Sequence, residues 1–456
     1  MSSLSTTPAA VALVNLGCPK NLVDAEKMLG SLAEAGFQVG AEPEDADLVI
    51  VNTCGFIESA KRESIHAILD AAKLKKRKRA PKLLVAGCLS QRHGAELMAD
   101  IPEIDGLIGV ADRDEAVKAA RRLFLPGGGD APRTPFLERV DFRRSADTGR
   151  MRLTPRHYAY LRISDGCSRP CAFCAIPAIR GKLRSKTIAT VLTEARELVA
   201  DGAKELNLVA QDSTAYGTDL PAGERTTLAK LLHELEGVEG LRWIRLLYAY
   251  PSAVTEELIA ETARNPKVVP YVDMPVQHGS DAVLAAMRRQ TTRGDILGIL
   301  RDWRAAVPGL VFRTTVIAGM PGEGEAEFAE LLSFLEEAGP ERLGCFPYSP
   351  EEGTPAARMD GQVSEAMKRK RRAAVMAAQQ KRLAAIQKGW VGQKTEALLE
   401  SRLPAGIWKA RTWHDAPEVD GTCFVEGVAA GASPGDLLDV TLTGQSGYDL
   451  KAAVAP

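Results

Sequence analysis

The chain has no apolar run of the ~18 residues that a membrane-spanning helix needs, so no bilayer crossing is expected. Its first residues, MSSLSTTPAA, carry neither the basic nor the apolar region of a signal peptide. No sign of charge dominates, because 58 Lys and Arg stand against 59 Asp and Glu. The glycine turn Gly319-Met320-Pro321-Gly322-Glu323 lacks a Walker lysine and hydroxyl, which excludes a P-loop. Without an export signal the chain is expected to be cytoplasmic. Its eight cysteines then stay reduced and free to bind metal rather than pair as disulfides. What remains is ordinary globular composition, 45% hydrophobic and 26% charged. At about 150 residues per domain, 456 residues suggest about three domains.

Three cysteines fall within eight residues, Cys167-Ser168-Arg169-Pro170-Cys171-Ala172-Phe173-Cys174. Thiolates are soft ligands, and cysteine sets of this kind hold iron–sulfur clusters. Three cysteines leave one iron of a four-iron cluster without a protein ligand, open to a cofactor. Zinc prefers two close pairs and a shell of four protein ligands. No fourth Cys or His lies near this loop, since His157 precedes it by a whole strand. Gly166 and Pro170 suit an exposed turn, which argues against three buried cysteines spaced by chance.

In the N-terminal third, short apolar runs at 11–16, 48–52, 83–86 and 107–110 alternate with helical patterns at 21–35, 58–74, 91–98 and 113–125. Such alternation implies a parallel sheet with both faces covered. Cys18, Cys54 and Cys88 each follow one of the first three strands. All three strand ends lie on one edge of a parallel sheet, the edge at which such sheets bind ligands. The cysteines are therefore expected to converge as a second cluster site with one open iron. The basic run Lys73-Leu74-Lys75-Lys76-Arg77-Lys78-Arg79 reads as a solvated helix end and loop.

Further strands are expected at 157–163, 205–209, 241–247, 272–274, 311–318 and 342–346, with helices between them. Six βα units in a row suggest a partial or complete β/α barrel with its chemistry at the C-terminal strand ends. The cysteine loop follows the first of these strands. Gln211, Tyr248, Tyr250 and His278 follow later ones, and His278 is expected to be a structural histidine. Cys345 stands alone and reads as packing.

The loop, with Phe173 just before its last cysteine, resembles the radical S-adenosylmethionine (SAM) enzymes. The two cysteine sets, the run Ile176-Pro177-Ala178-Ile179-Arg180-Gly181-Lys182-Leu183-Arg184-Ser185 and Met274-Pro275-Val276-Gln277-His278 are similar to the methylthiotransferases. Gly17-Cys18-Pro19-Lys20-Asn21-Leu22-Val23-Asp24 and Asp415-Ala416-Pro417-Glu418-Val419-Asp420-Gly421 resemble the RimO type, which modifies a ribosomal protein, rather than the tRNA-modifying MiaB type. Ala25 and Lys186 depart from that pattern, where serine and arginine are usual.

The resemblance implies two [4Fe-4S] clusters, held by Cys18, Cys54 and Cys88 and by Cys167, Cys171 and Cys174. It implies SAM on the second cluster, with Gln211 and Phe173 as SAM contacts. The implied reaction places a methylthio group on the β-carbon of an aspartate in the twelfth small-subunit ribosomal protein. One SAM would supply the methyl group and a second the radical that removes the β-hydrogen. An electron donor is required, and the ribosome or an accessory protein is a further expected partner. The alternatives are a tRNA methylthiotransferase and a non-catalytic, metal-containing RNA- or ribosome-binding protein.

The expected division is an N-terminal parallel α/β domain at 8–125, a linker at 126–152, a radical SAM partial barrel at 153–388 and a small all-β module resembling TRAM at 389–456. A helix from Ser364 to about Lys388 carries eight basic residues from Lys368 onward, a face that suits either RNA or solvent. The last segment holds five bases against nine acids. A tRNA-gripping module should be basic, whereas an acidic one suits a basic ribosomal protein.

Overall fold

The computed structural model describes residues 8–77, 80–111, 113–125, 135–136 and 146–454. The expected linker at 126–152 and the end of the basic run, Lys78-Arg79, lie largely outside the described residues. The chain divides into two compact units. The first holds residues up to 153 together with 165–169 and 174–186; the second holds 154–164, 170–173 and 187–456.

The first unit is a parallel sheet with strand order β2-β1-β3-β4-β5-β6. Its strands are β1 (Ala10–Asn15), β2 (Gln38–Val39), β3 (Leu48–Thr53), β4 (Lys82–Gly87), β5 (Gly106–Ile108) and β6 (Pro135–Phe136). Four helices connect them: α1 (Pro19–Glu34), α2 (Glu58–Lys73), α3 (Cys88–Asp100) and α4 (Ala116–Leu123). Strand β3 shows why the sheet is covered on both faces, since all six of its residues are buried. Val49 and Val51 pack into one core with Ile68 and Leu89, while Leu48 and Ile50 pack into another with Met28 and Leu32. The period of two sends successive side chains to opposite faces. Strands β2 and β6 have two residues each, too few to show a period in the sequence. The short strands β8 (Ser164–Asp165) and β9 (Arg184–Ser185) and helix α5 (Ile176–Arg180) flank or follow the cysteine loop.

The second unit holds six parallel strands in chain order, β7 (Tyr158–Arg162), β10 (Glu205–Val209), β11 (Trp243–Leu246), β12 (Val268–Asp273), β13 (Val311–Ala318) and β14 (Arg342–Pro347). The sheet is open, with β7 and β14 as its edges, so the barrel is partial. Ala159, Leu161, Leu206, Leu208, Ile244, Val272, Phe312 and Val316 face the apolar core shared with the helices. Alternate residues present a different face: Tyr158, Tyr160, Glu205, Asn207, Arg245, Tyr271, Arg313 and Arg342. Six of these eight are at most 2% exposed.

A closed barrel of β15 (Lys394–Arg402), β16 (Trp408–Thr412), β17 (Cys423–Glu426), β19 (Asp449–Val454) and β18 (Leu437–Ser446) ends the chain. Residues 411–420 of this barrel supply partners for that polar face. Arg411 pairs with Glu205 at 2.6 Å, and Arg245 donates to the Trp413 carbonyl at 2.8 Å. Arg342 Nε donates to Asp415 at 3.0 Å, and Tyr271 donates to Asp420 at 2.6 Å. Tyr158 donates to Glu418 at 2.8 Å. Several of the module's acids are thus spent inside the molecule, so its −4 charge overstates what it offers a basic partner.

Candidate metal centres

In the first unit Cys18, Cys54 and Cys88 stand just past the level ends of β1, β3 and β4. Register fixes this. Asn15 stands opposite Asn52, and Thr53 opposite Gly87, so the three strands end nearly level. Asn21, buried in the first turn of α1, ties two of the ends. Its Nδ2 donates to the Leu16 carbonyl at 2.6 Å and to the Thr53 carbonyl at 3.2 Å. Its backbone N–H donates to the Cys18 carbonyl at 2.9 Å. Thr53 Oγ1 donates to the Ala86 carbonyl at 2.6 Å, which adds the third end.

Glycine keeps this place clear. Gly17 has φ +92°, and a Cβ there would lie 2.8 Å from Cys54 Cβ. Each thiol feels its neighbours. Burial opposes ionisation of Cys18, yet Lys20, Arg180 and backbone N–H groups outweigh it and hold the thiol below its ordinary pKa. Burial raises Cys54, with the Cys18 charge adding to it. Burial raises Cys88 to about 12, and Cys18 and Cys54 push the same way. A coordinating metal deprotonates such thiols outright. Three soft donors on one sheet edge, with a glycine cleared beside them, fit an iron–sulfur cluster that keeps one iron open.

The central loop follows β7. Cys167 Sγ accepts the Arg169 N–H at 3.4 Å, and the Cys167 N–H donates to the Gly181 carbonyl at 3.0 Å. Gly166 has φ +72°, and a Cβ there would strike the Lys182 carbonyl. Around Cys171, in the second unit, Arg289 Nη1 donates to the sulfur at 3.5 Å and the Tyr250 hydroxyl lies 3.9 Å from it. The Arg289 guanidinium stacks 4.0 Å from the Tyr250 ring centre, and the Tyr250 hydroxyl donates to the Arg289 carbonyl at 2.7 Å. Cys174 is half-buried. The donor set again suits a cluster with one open iron.

Phe173 packs with Ala172, Met287, Met320 and Tyr348. Gln211 sits two residues past the end of β10, half-buried. His278 is structural in its contacts, since its Nε2 faces Glu323 at 3.2 Å and its Nδ1 accepts the Ser280 N–H at 3.0 Å. Cys345 and Cys423 are buried in the cores of the open sheet and the small barrel. Arg289 is an addition that the sequence did not single out, whereas Asn21, Asp24 and Arg180 stand within the runs that carry the resemblance. Nothing in the run from Ile176 to Ser185 says which site Arg180 reaches.

Three family models match the chain: "Uncharacterized protein family UPF0004" over residues 10–109, "Radical SAM superfamily" over 161–335 and "TRAM domain" over 391–455. A protein of Anaeromyxobacter sp. (strain K) named ribosomal protein uS12 methylthiotransferase RimO is 45% identical, with 97% of this chain and 93% of that protein covered. Its namesake in Pelotomaculum thermopropionicum is 44% identical over 96% of this chain and 98% of its own length. The one in Geobacter sulfurreducens is 42% identical over 98% and 99%. Among solved structures, the radical SAM methyltransferase TsrM of Kitasatospora setae, with cobalamin and a [4Fe-4S] cluster bound, aligns with a TM-score of 0.56 at 16% identity. It covers 76% of this chain and 77% of its own. The cobalamin-dependent radical enzyme OxsB aligns at 0.51, with 77% of this chain and 54% of that one covered. At such identity these two speak for the fold alone.

Proposed function

The chain belongs to the ribosomal protein uS12 methylthiotransferase family, and on that premise we propose that it methylthiolates the β-carbon of an aspartate in uS12. The observation that carries the reading is the pair of three-cysteine sites, one built from three strand ends and one from a single loop. Cys18, Cys54 and Cys88 hold one [4Fe-4S] cluster, and Cys167, Cys171 and Cys174 hold the other. When bound, the clusters supply sulfur transfer at the first site and reductive cleavage of SAM to a carbon radical at the second.

The chain's own residues do the rest, by binding, orienting and excluding side reactions. Asn21 and Thr53 fix the spacing of the first set. Arg289 and Tyr250 hold the Cys171 sulfur in place. Phe173 and Gln211 contact SAM. The domains are those at 8–125, 153–388 and 389–456, joined by 126–152, and the enzyme works in the cytoplasm. An electron donor completes the system.

The test is to incubate anaerobically reconstituted protein with SAM, a reductant, and either uS12 or tRNA, and to measure the mass of each. A methylthio gain on uS12 alone is expected. A gain on tRNA with none on uS12 overturns the assignment in favour of tRNA modification, and no gain on either favours a non-catalytic role.

A further inference from the structure

Arg180 follows the last cysteine of the central loop by six residues, yet within the first unit its guanidinium reaches Asn21 and Asp24, on the helix that begins just after Cys18. The residue is 1% exposed. Nη2 donates to Asp24 at 2.8 Å and to Asn21 Oδ1 at 3.4 Å, and Nη1 reaches both Asp165 oxygens at 3.2 and 3.3 Å. Arg113 shares those carboxylates, at 3.4 Å from Asp24 and 3.5 Å from Asp165, and lies 3.8 Å from Asp147. Lys186 pairs with Asp147 at 2.6 Å. Three cations thus alternate with three carboxylates around the Arg180 guanidinium.

Three thiolates outweigh the charge of an oxidised four-iron core, so the ligated cluster is an anion, and reduction adds one more negative charge. In a buried place that charge is costly without a counter-ion. Ile179, the residue before Arg180, packs with Cys88 in one buried cluster. The two carboxylate partners of Arg180 hold the guanidinium where it is, and Asn21 joins it to the strand ends that carry Cys18 and Cys54.

We propose that Arg180 is an electrostatic positioning residue for the N-terminal iron–sulfur cluster, a fixed counter-charge that raises its reduction potential. The run that follows the central cysteine loop thereby serves the other cysteine set. The proposal rests on the two-cluster reading above.

The experiment uses the full chain with Cys167, Cys171 and Cys174 changed to Ala, so that any remaining signal comes from the N-terminal set. This parent should hold about four irons; if it holds none, the two-cluster reading fails and Arg180 is not at issue. R180Q and R180K are then compared with the parent by iron analysis and an EPR-monitored redox titration. R180Q should lower the midpoint by at least ~59 mV, a tenfold loss in the reduced-to-oxidised ratio of a one-electron couple. R180K, which keeps the charge, should retain most of the parent potential. A fully loaded R180Q with an unchanged midpoint overturns the proposal. If R180Q holds no cluster, R180K decides: iron with a near-parent midpoint supports the counter-charge. Complete loss of iron from both variants overturns it in favour of a shape-specific brace.

Discussion

The two cysteine sets use the same donor and arrive at it differently. Cys18, Cys54 and Cys88 are 36 and 34 residues apart and meet only because three parallel strands end level. Cys167, Cys171 and Cys174 are neighbours in the chain, whatever the sheet does. The first set therefore stands or falls with sheet register, where a slip of one residue would turn each strand's side chains to the opposite face. The second depends on one turn and on the groups placed against it. Their surroundings differ to match. The first has hydrogen bonds that lock strand ends together, and the second has an arginine and a tyrosine set against one sulfur.

The largest effect should come from removing one set at a time. Changing Cys167, Cys171 and Cys174 to Ala should leave about four irons and abolish deoxyadenosine formation from SAM. Changing Cys18, Cys54 and Cys88 should also leave about four irons, with SAM still cleaved and no sulfur reaching uS12. Loss of all iron from either triple variant would show that the sites are not independent.

Next in size is Asp415→Ala, which leaves the buried Arg342 without its carboxylate. Breaking a buried pair costs about 3–5 kcal/mol. All five tryptophans lie in the second unit, so their fluorescence reads it selectively. A lowered urea midpoint is expected there, with iron at the N-terminal cysteines unchanged. An unchanged midpoint would mean that residues 411–420 do not support the open sheet.

Asn21→Ala should be milder, about 1–3 kcal/mol for the acceptors it leaves unpaired. Iron should fall at the N-terminal set and not at the central one, as judged in the two triple-alanine backgrounds. Equal loss at both would erase the contrast between them. The smallest effect belongs to Cys345→Ala and Cys423→Ala, which pack in cores away from both sets. Each should keep its full iron complement, and any loss would put a further thiol among the ligands.

Charge is the property whose placement a sequence shows least. Nine acids against five bases in the last segment suit a basic protein partner, but the count does not say which of them are already paired within the molecule. Glu396 pairs with Arg242 at 2.6 Å, Glu400 with Arg411 at 2.6 Å, and Asp420 with Arg313 at 3.4 Å. The basic helix, α12 (Glu365–Trp390), shows the same thing with opposite sign. Lys368, Arg371 and Arg382 on it pair with Glu365, Glu323 and Glu336. A charge count knows no distances, so it cannot separate a docking pair from a solvated face.

The sequence by itself determined the repeating strands and helices, through apolar periods long enough to read, and the central cysteine set, through spacing alone. It also placed Cys18, Cys54 and Cys88 at strand ends, because each follows an apolar run directly. Two-residue strands such as β2 escaped it, having no period to show. Only the tertiary structure decided which charges meet. Arg180 reaches Asp24 across 156 residues of chain, and Asp415 reaches Arg342 across 73. The reason is physical: hydrophobic patterning is a local property of the chain, whereas ion pairing between distant segments depends on where folding brings them.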